Sequence, residues 1–322
     1  MIDDASFARA VSLRADLIAQ PGDRAFRLYD GPREGEPGSP TVEVFGKTAV
    51  TFVRSSEVTA EEKAKLVATL QQALPGLRAV VWKQKGAFDT GTVVFGSEQD
   101  VARRVEEASI KYCVRLLAHH DATFFLDTAL LRAYLRETGA GKSVLNLFAY
   151  TGSLGVAAAA GGARVVNVDK NRIFLDQAKT SYGMNGLHIE RVHFKAEDFF
   201  VASRGLRKSG AAFDQVVVDP PPFAAGKSGV VDVVNNLPAL LNKVRPLVKD
   251  GGELIVVNNA LFVSGEEFLQ KIAEVCADGY AKLERTIGVP ADCRAPLARP
   301  LPSDPAPFEH PTKIAVLRLR KK

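Results

Sequence analysis

Two acids, each closing an apolar run, are the residues of this 322-residue chain best placed to do chemistry. Asp169 ends the stretch Val144 to Asp169, VLNLFAYTGSLGVAAAAGGARVVNVD. Its apolar run Val144 to Phe148 turns through Tyr150, Thr151 and Gly152 into an alanine-rich segment closed by Gly161 and Gly162. A second apolar run then leads to the acid. This is the pattern of a strand, a glycine turn, a helix and a second strand, whose right-handed crossover makes the strands parallel. Doubly wound sheets bind ligands beyond the carboxyl ends of their strands. Gly152 would then lie beside a bound nucleoside, and Asp169, seventeen residues on, could accept from two ribose hydroxyls. The comparable spacing in dinucleotide folds is roughly twenty. The same pattern also suits a crossover that binds nothing.

The second acid sits in Phe213 to Phe223, FDQVVVDPPPF, where an apolar run ends in Asp219, three prolines and an aromatic ring. Proline fixes φ and cannot donate to a ladder, so this strand end is rigid and its carbonyls are kept out of further sheet. No GxGxxG follows the first run, since GSLG holds only Gly152 and Gly155; this disfavours a nicotinamide oxidoreductase on the same sheet.

The elements that must carry these acids alternate regularly. A strand, a loop and a helix over Lys111 to Arg136 lead into the strand at Val144. Asn171 caps a helix over Arg172 to Gly186, Val192 to Phe194 is a short strand before Glu197 and Asp198, and Phe199 to Ser209 is helical. Gln215 to Asp219 is the fourth strand, Val231 to Leu247 a helix, Glu253 to Asn258 the fifth strand and Ser264 to Ala277 a helix. Ala281 to Ile287 and Lys313 to Leu319 form a terminal pair. The expected fold class is therefore α/β, with a seven-stranded, mostly parallel sheet holding one antiparallel member. Upstream, the first twenty residues read as an amphipathic helix. Residues 27 to 54 give a glycine- and proline-rich loop and two strands meeting at Gly46 and Lys47. Thr59 with Glu62 makes a capping box for a helix to Leu74, and Arg78 to Lys83 and Thr92 to Phe95 are strands. The expected domains are a small α+β domain over 1–115, a candidate for substrate recognition, and a catalytic domain over 116–322.

Composition bounds the rest. With 46% apolar and 25% charged residues, the chain is that of a globular protein. No apolar run approaches the ~18 residues of a membrane span, and the acidic N-terminus is unlike a signal peptide, so a cytoplasmic protein is expected. Cys113, Cys276 and Cys293 are far apart, and the histidines have no ligand spacing, so no metal is expected. The net charge of +5 lies at the C-terminus: residues 1–120 carry 16 basic and 16 acidic groups, while Arg294 to Lys322 carry 7 and 2. Such a stretch could follow phosphates or form a solvated strand.

LNLFAYTGSLG followed by AGGA and VDK, with VDPPPF and Lys227 downstream, resembles the class I S-adenosylmethionine-dependent methyltransferases. Within them it is most similar to the bacterial 23S ribosomal RNA large-subunit enzymes, a group with cytosine-C5 and guanine-N7 members. GEPGSPTVEVFG extends the likeness over roughly residues 27 to 262. The resemblance implies a Rossmann-like sheet, S-adenosylmethionine as cofactor with S-adenosylhomocysteine as product, and ribosomal RNA as partner. It leaves the oligomeric state open, a homodimer included. It assigns cofactor contacts to Phe125, Asp127, Asn146, Phe148, Tyr150, Thr151, Gly152, Asp169, Lys170 and Asp219, with Glu197 or Asp198 on the adenine amine and Glu197 favoured. Asp219, Pro220, Pro221 and Phe223 become the catalytic set, Phe223 stacking on an extruded base, and Lys227, Asn258 and Asn259 join Phe223 on the substrate. The chain departs from the group at Ala122 to Ala129, where only an aromatic, leucine and aspartate core survives, and in lacking the usual RNA-binding module.

The acceptor is approached through cysteine. Cytosine C5 is not nucleophilic until a thiolate adds to the ring, and the cytosine members carry a cysteine near the end of the fifth strand. Asn258 and Asn259 stand there instead, resembling the guanine members, so a base nitrogen is the expected acceptor, an exocyclic amine included. Strand-end capping is an equally good use of the pair. A small molecule or a protein side chain is the alternative acceptor, favoured by the missing module and the balanced N-terminal charge.

Overall fold

Apolar residues collect into separate cores in two units, Met1–Leu126 with Pro290–Pro300, and Asp127–Val289 with Leu301–Lys322. The computed structural model describes residues 2–20, 22–36, 38–53, 58–84, 90–294 and 301–320. The division after Leu126 falls beyond the expected boundary at 115, and residues 290–300 return to the first unit, which no composition shift announced.

In the first unit, Ala25–Asp30, Thr41–Phe45, Thr48–Val53, Ala79–Gln84 and Thr92–Phe95 form one sheet in chain order. The third and fourth strands are parallel because the helix Ala60–Ala73 crosses between them. That helix starts on the expected capping box, Glu62 N donating to Thr59 Oγ1 at 3.1 Å and Thr59 N to Glu62 Oε2 at 2.8 Å. Its Leu66 and Leu70 share a core with Phe7, Leu28, Val44 and Trp82. The N-terminal helix breaks at Arg14 into Asp4–Leu13 and Ala15–Ala19. Arg14 is buried and grips both oxygens of Glu34, at 2.7 and 3.1 Å, while Arg14 and Arg33 donate to the carbonyls of Asp292 and Cys293. These ties hold the returning segment. The strands Ala25–Asp30 and Arg104–Glu107 were not legible, the second pairing as a hairpin with Ile110–Cys113, the strand expected from Lys111.

The second unit carries the seven-stranded sheet. Its strands, in chain order, are Ser143–Leu147, Arg164–Asp169, Phe194–Ala196, Phe213–Val218, Val248–Asn258, Ala281–Ile287 and Lys313–Leu319. Across the sheet they run 3-2-1-4-5-7-6, and the seventh is antiparallel to both its neighbours. The reversal of order between the first and fourth strands is where such sheets open a crevice at their carboxyl ends.

Three expectations are corrected. Residues 231–247 are not one helix: Phe223–Gly226 pairs with Gly229–Asp232 as a hairpin, and the helix spans only Leu237–Val244. The valines at 230, 231, 233 and 234 suit a pleated surface. Asp232 Oδ1 ends the strand by accepting from Val234 N and Asn235 N, and Pro238 sits in the first turn of the helix. Residues 191–193 form a 3₁₀ turn, which moves the third strand to Phe194–Ala196. The fifth strand starts at Val248, through Gly251 and Gly252. Of the four described basic residues in the C-terminal stretch, Arg294 and Arg320 are exposed and the other two are engaged inside the fold. Lys313 is buried, and Arg318 donates to Glu253, Glu284 and the carbonyl of Gly251. Arg299, Lys321 and Lys322 lie outside the described residues.

Candidate functional site

The first and second strands of the large sheet end side by side. Beyond Leu147 the backbone turns sharply, with Phe148 at φ 57° and Tyr150 at φ 50°, a left-handed region that costs most side chains energy. Asp169 holds this turn: Tyr150 N donates to Asp169 Oδ2 at 2.9 Å and Asn171 N to Oδ1 at 2.8 Å. Burial pushes the Asp169 carboxyl above its ordinary range, against those two donors and Lys170, which is exposed. Phe148 stacks on Phe199 with ring centres 4.8 Å apart, and Tyr150 meets Phe174 edge-on. Thr151 is buried.

Gly152 caps the helix Ser153–Ala160 at φ 75°. A Cβ there would stand 2.5 Å from Ala178 Cβ, and one at Gly155 would stand 2.0 Å from Asn167 Oδ1. The two glycines are thus demanded by packing of neighbouring elements. Asn146 is likewise interior to its strand: its Nδ2 donates to Asn167 Oδ1 at 3.0 Å, and Asn167 donates on to Tyr182 Oη. The third strand pairs Ala196 with Asp169, so Glu197 follows immediately beyond it, and Glu197 N donates to the carbonyl of Asp169. Glu197 is exposed, whereas Asp198 Oδ1 accepts from Phe200 N as the cap of the helix Phe199–Lys208.

Asp219 lies next to this group, because its N–H reaches the carbonyl of Leu147 at 3.5 Å. Burial, reinforced by the charge of Asp127, pushes its carboxyl up to about 7. Asp127 itself is held by Thr312 Oγ1. Pro220 is buried, Pro221 exposed, and the Pro222 carbonyl accepts from Val233 N where the chain leaves the hairpin. Phe223 is 64% exposed on the hairpin, and Lys227 is exposed at its tip. Asn258 is buried at the end of the fifth strand and caps it, accepting from Ala260 N at 3.0 Å, while its Nδ2 has no partner in the described residues. Asn259 is exposed. Phe125 is exposed and belongs to the first unit.

Sequence reasoning missed two residues at this edge. Thr312 and Lys313 arrive from a distant C-terminal segment, and Lys313 Nζ donates to the carbonyls of Pro311 and Ala260. Burial lowers the Lys313 ammonium to about 8. Nothing in EHPTK signals either contact. Cys276, the cysteine of the second unit, ends the helix Gly265–Cys276 beside Arg245, which immediately precedes the fifth strand. It therefore lies toward the amino edge of the sheet, away from Asp219.

Residues 59–291 match the model of the S-adenosylmethionine-dependent methyltransferase family. The chain is 30% identical over 282 residues to the "Ribosomal RNA large subunit methyltransferase I" of Photobacterium profundum, covering 85% of this chain and 70% of that protein. It is 27% identical over 282 residues to the protein of the same name from Erwinia tasmaniensis, covering 85% and 71%. Among solved structures, a methyltransferase complexed with S-adenosylhomocysteine superposes with a TM-score of 0.85 at 22% identity, over 98% of this chain and 80% of that one.

Proposed function

Because the chain belongs to the S-adenosylmethionine-dependent methyltransferase family, we propose that it methylates a base of ribosomal RNA at the carboxyl edge of its seven-stranded sheet. The observation that carries the active centre is Asp219, a half-buried acid with a raised carboxyl pKa beside the strained turn that Asp169 fixes. The acceptor class rests on the names of the relatives, both ribosomal RNA methyltransferases.

The residues present fit the methyl donor. Asp169 is oriented by two backbone donors, and Glu197 follows on the adjacent strand. One acid thus suits a ribose diol and its neighbour an adenine amine. Phe148 and Tyr150 bring rings to the same strand ends. Bound S-adenosylmethionine supplies an electrophilic methyl on a sulfonium. The protein's part is to hold the acceptor in line with that methyl and to exclude water. Phe223 offers an exposed ring for stacking the base, and Asp219 in its ionised form accepts a hydrogen bond from its edge.

The base nitrogen expected from Asn258 and Asn259 is withdrawn. Asn258 Oδ1 is already used by Ala260 N, and the comparisons with known proteins lend a nitrogen acceptor no support. The reading stops at a base of ribosomal RNA. Tritiated methyl transfer to unmethylated 23S ribosomal RNA, followed by nucleoside mass analysis, tests it. Label in an RNA nucleoside is the expected result. Turnover confined to a small molecule or a protein would overturn the RNA reading.

A further inference from the structure

We propose that Phe262 is a second stacking platform, which takes a base flanking the acceptor base in the RNA; this rests on the RNA reading above. The ring is 76% exposed, the most exposed large apolar side chain among the described residues. Scattered apolar side chains on a surface need no explanation, but clustered ones do. Five of the thirteen large apolar side chains exposed among the described residues, Phe223, Val230, Val234, Leu261 and Phe262, come from residues 223–234 and 261–262. These two short stretches follow the fourth and fifth strands, which are neighbours paired in parallel, Val218 beside Val256. Their buried residues, Val231 and Val233 from one and Ala260 and Val263 from the other, lie in a single core cluster. Strand alternation turns Phe223 and Val230 to the face opposite Val231.

The loop that bears Phe262 is tightly held. Ala260 N donates to Asn258 Oδ1, the carbonyl of Ala260 accepts from Lys313 Nζ, Val263 N donates to the same carbonyl, and Ser303 Oγ donates to the carbonyl of Leu261 at 2.6 Å. With Ala260 and Leu261 pinned before Phe262 and Val263 after it, the ring is presented to solvent already oriented. The occupant is a nucleobase, for two reasons. Phe262 adjoins the edge where Asp219 and Phe223 stand. Exposed Asn259 and Lys227 on the same two stretches offer an amide and a cation, and of the acids near the ring Asp232, Glu267 and Asp304 are engaged by Asn235, Ser264 N and Ala306 N, with Glu266 exposed on the helix that follows. Aromatic stacking accepts any base and suits a flanking position that carries no specificity.

Phe262→Ala and Phe262→Trp, both expected to fold because the ring buries little, are compared with wild type for methyl transfer to unmethylated 23S ribosomal RNA and for S-adenosylmethionine binding. Phe262→Ala should raise KM for the RNA roughly tenfold, leaving kcat and cofactor affinity close to wild type, and Phe262→Trp should restore KM. An unchanged KM in Phe262→Ala, or a tryptophan variant as weak as the alanine one, overturns the platform while wild-type transfer upholds the RNA reading. A KM raised only for assembled ribosomal particles and not for free RNA would assign the ring to a protein neighbour and likewise overturn it. If wild type labels no RNA, the reading fails and the platform with it.

Discussion

Asp214 and Asp219 lie on and just beyond one strand, Phe213–Val218, and their environments are opposite. At the amino edge, Asp214 Oδ2 accepts from Ser143 N, Ser143 Oγ and Lys249 Nζ at 2.6 to 2.9 Å, and these donors hold its carboxyl down at about 2 against the cost of burial. At the carboxyl edge, burial and the nearby Asp127 push Asp219 up to about 7. The contrast extends along both edges. Glu253 is gripped by Gln215 and Arg318, and Arg245 by Asp278, on the amino side. The carboxyl side has left-handed Phe148 and Tyr150, an Asn258 amide without a partner in the described residues, and the exposed rings of Phe223 and Phe262. Polar groups whose demands are met inside the fold stabilise it. Those left unmet where strands end are available to a ligand.

The largest test of this contrast is Asp219→Asn. If the acid serves the acceptor, transfer should fall by about a hundredfold or more while calorimetry finds S-adenosylmethionine binding retained; a variant with near wild-type turnover would erase the distinction between the two edges. Next is Asp169→Ala. Removing a charged acceptor of hydrogen bonds should weaken cofactor binding by roughly tenfold to a hundredfold, and an unchanged dissociation constant would mean that Asp169 only shapes the Tyr150 turn.

The smallest effects concern stability against pH, and they have opposite signs. Asp219 has a folded pKa raised from 3.8 to about 7, so the fold favours its protonated form, and stability is lost as pH rises from about 4 through 7. Asp219→Asn should therefore raise Tm relative to wild type near pH 8 and change it little near pH 4. Asp214 has a folded pKa lowered to about 2, so its contribution is present above about 4 and is lost as pH falls through 2. Asp214→Asn should lower Tm by about 2–4 °C at neutral pH, the gap closing as pH approaches 2. Parallel pH responses in the two variants would contradict the assignment of one carboxylate to structure and the other to function. In catalysis the same titration should make transfer fall as pH drops below about 7.

The local signals were legible wherever a few neighbouring residues decide the outcome. Thr59 with Glu62 and Asn171 marked helix starts, and Ala281–Ile287 and Lys313–Leu319 were read with correct bounds. The misreading at Val231 to Leu247 shows the limit: a valine-rich run suits a helix as well as a hairpin until Asp232 is seen turning the chain at Val234 and Asn235.

The sequence by itself determined the order of strands and helices, the two acids at strand ends and the glycines of the turn, because periodicity, capping and φ preferences act over a few residues. Only the tertiary structure decided which side chains have no partner to spare. Asn258 closes its own strand, Asp198 caps a helix while Glu197 stays exposed, and Thr312 crosses from residue 312 to hold Asp127. The first two are turns two residues long that the sequence allowed but did not choose between, the third joins residues 185 apart that only packing brings together, and burial, which sets the charge of Asp219, is a property of the packed sheet.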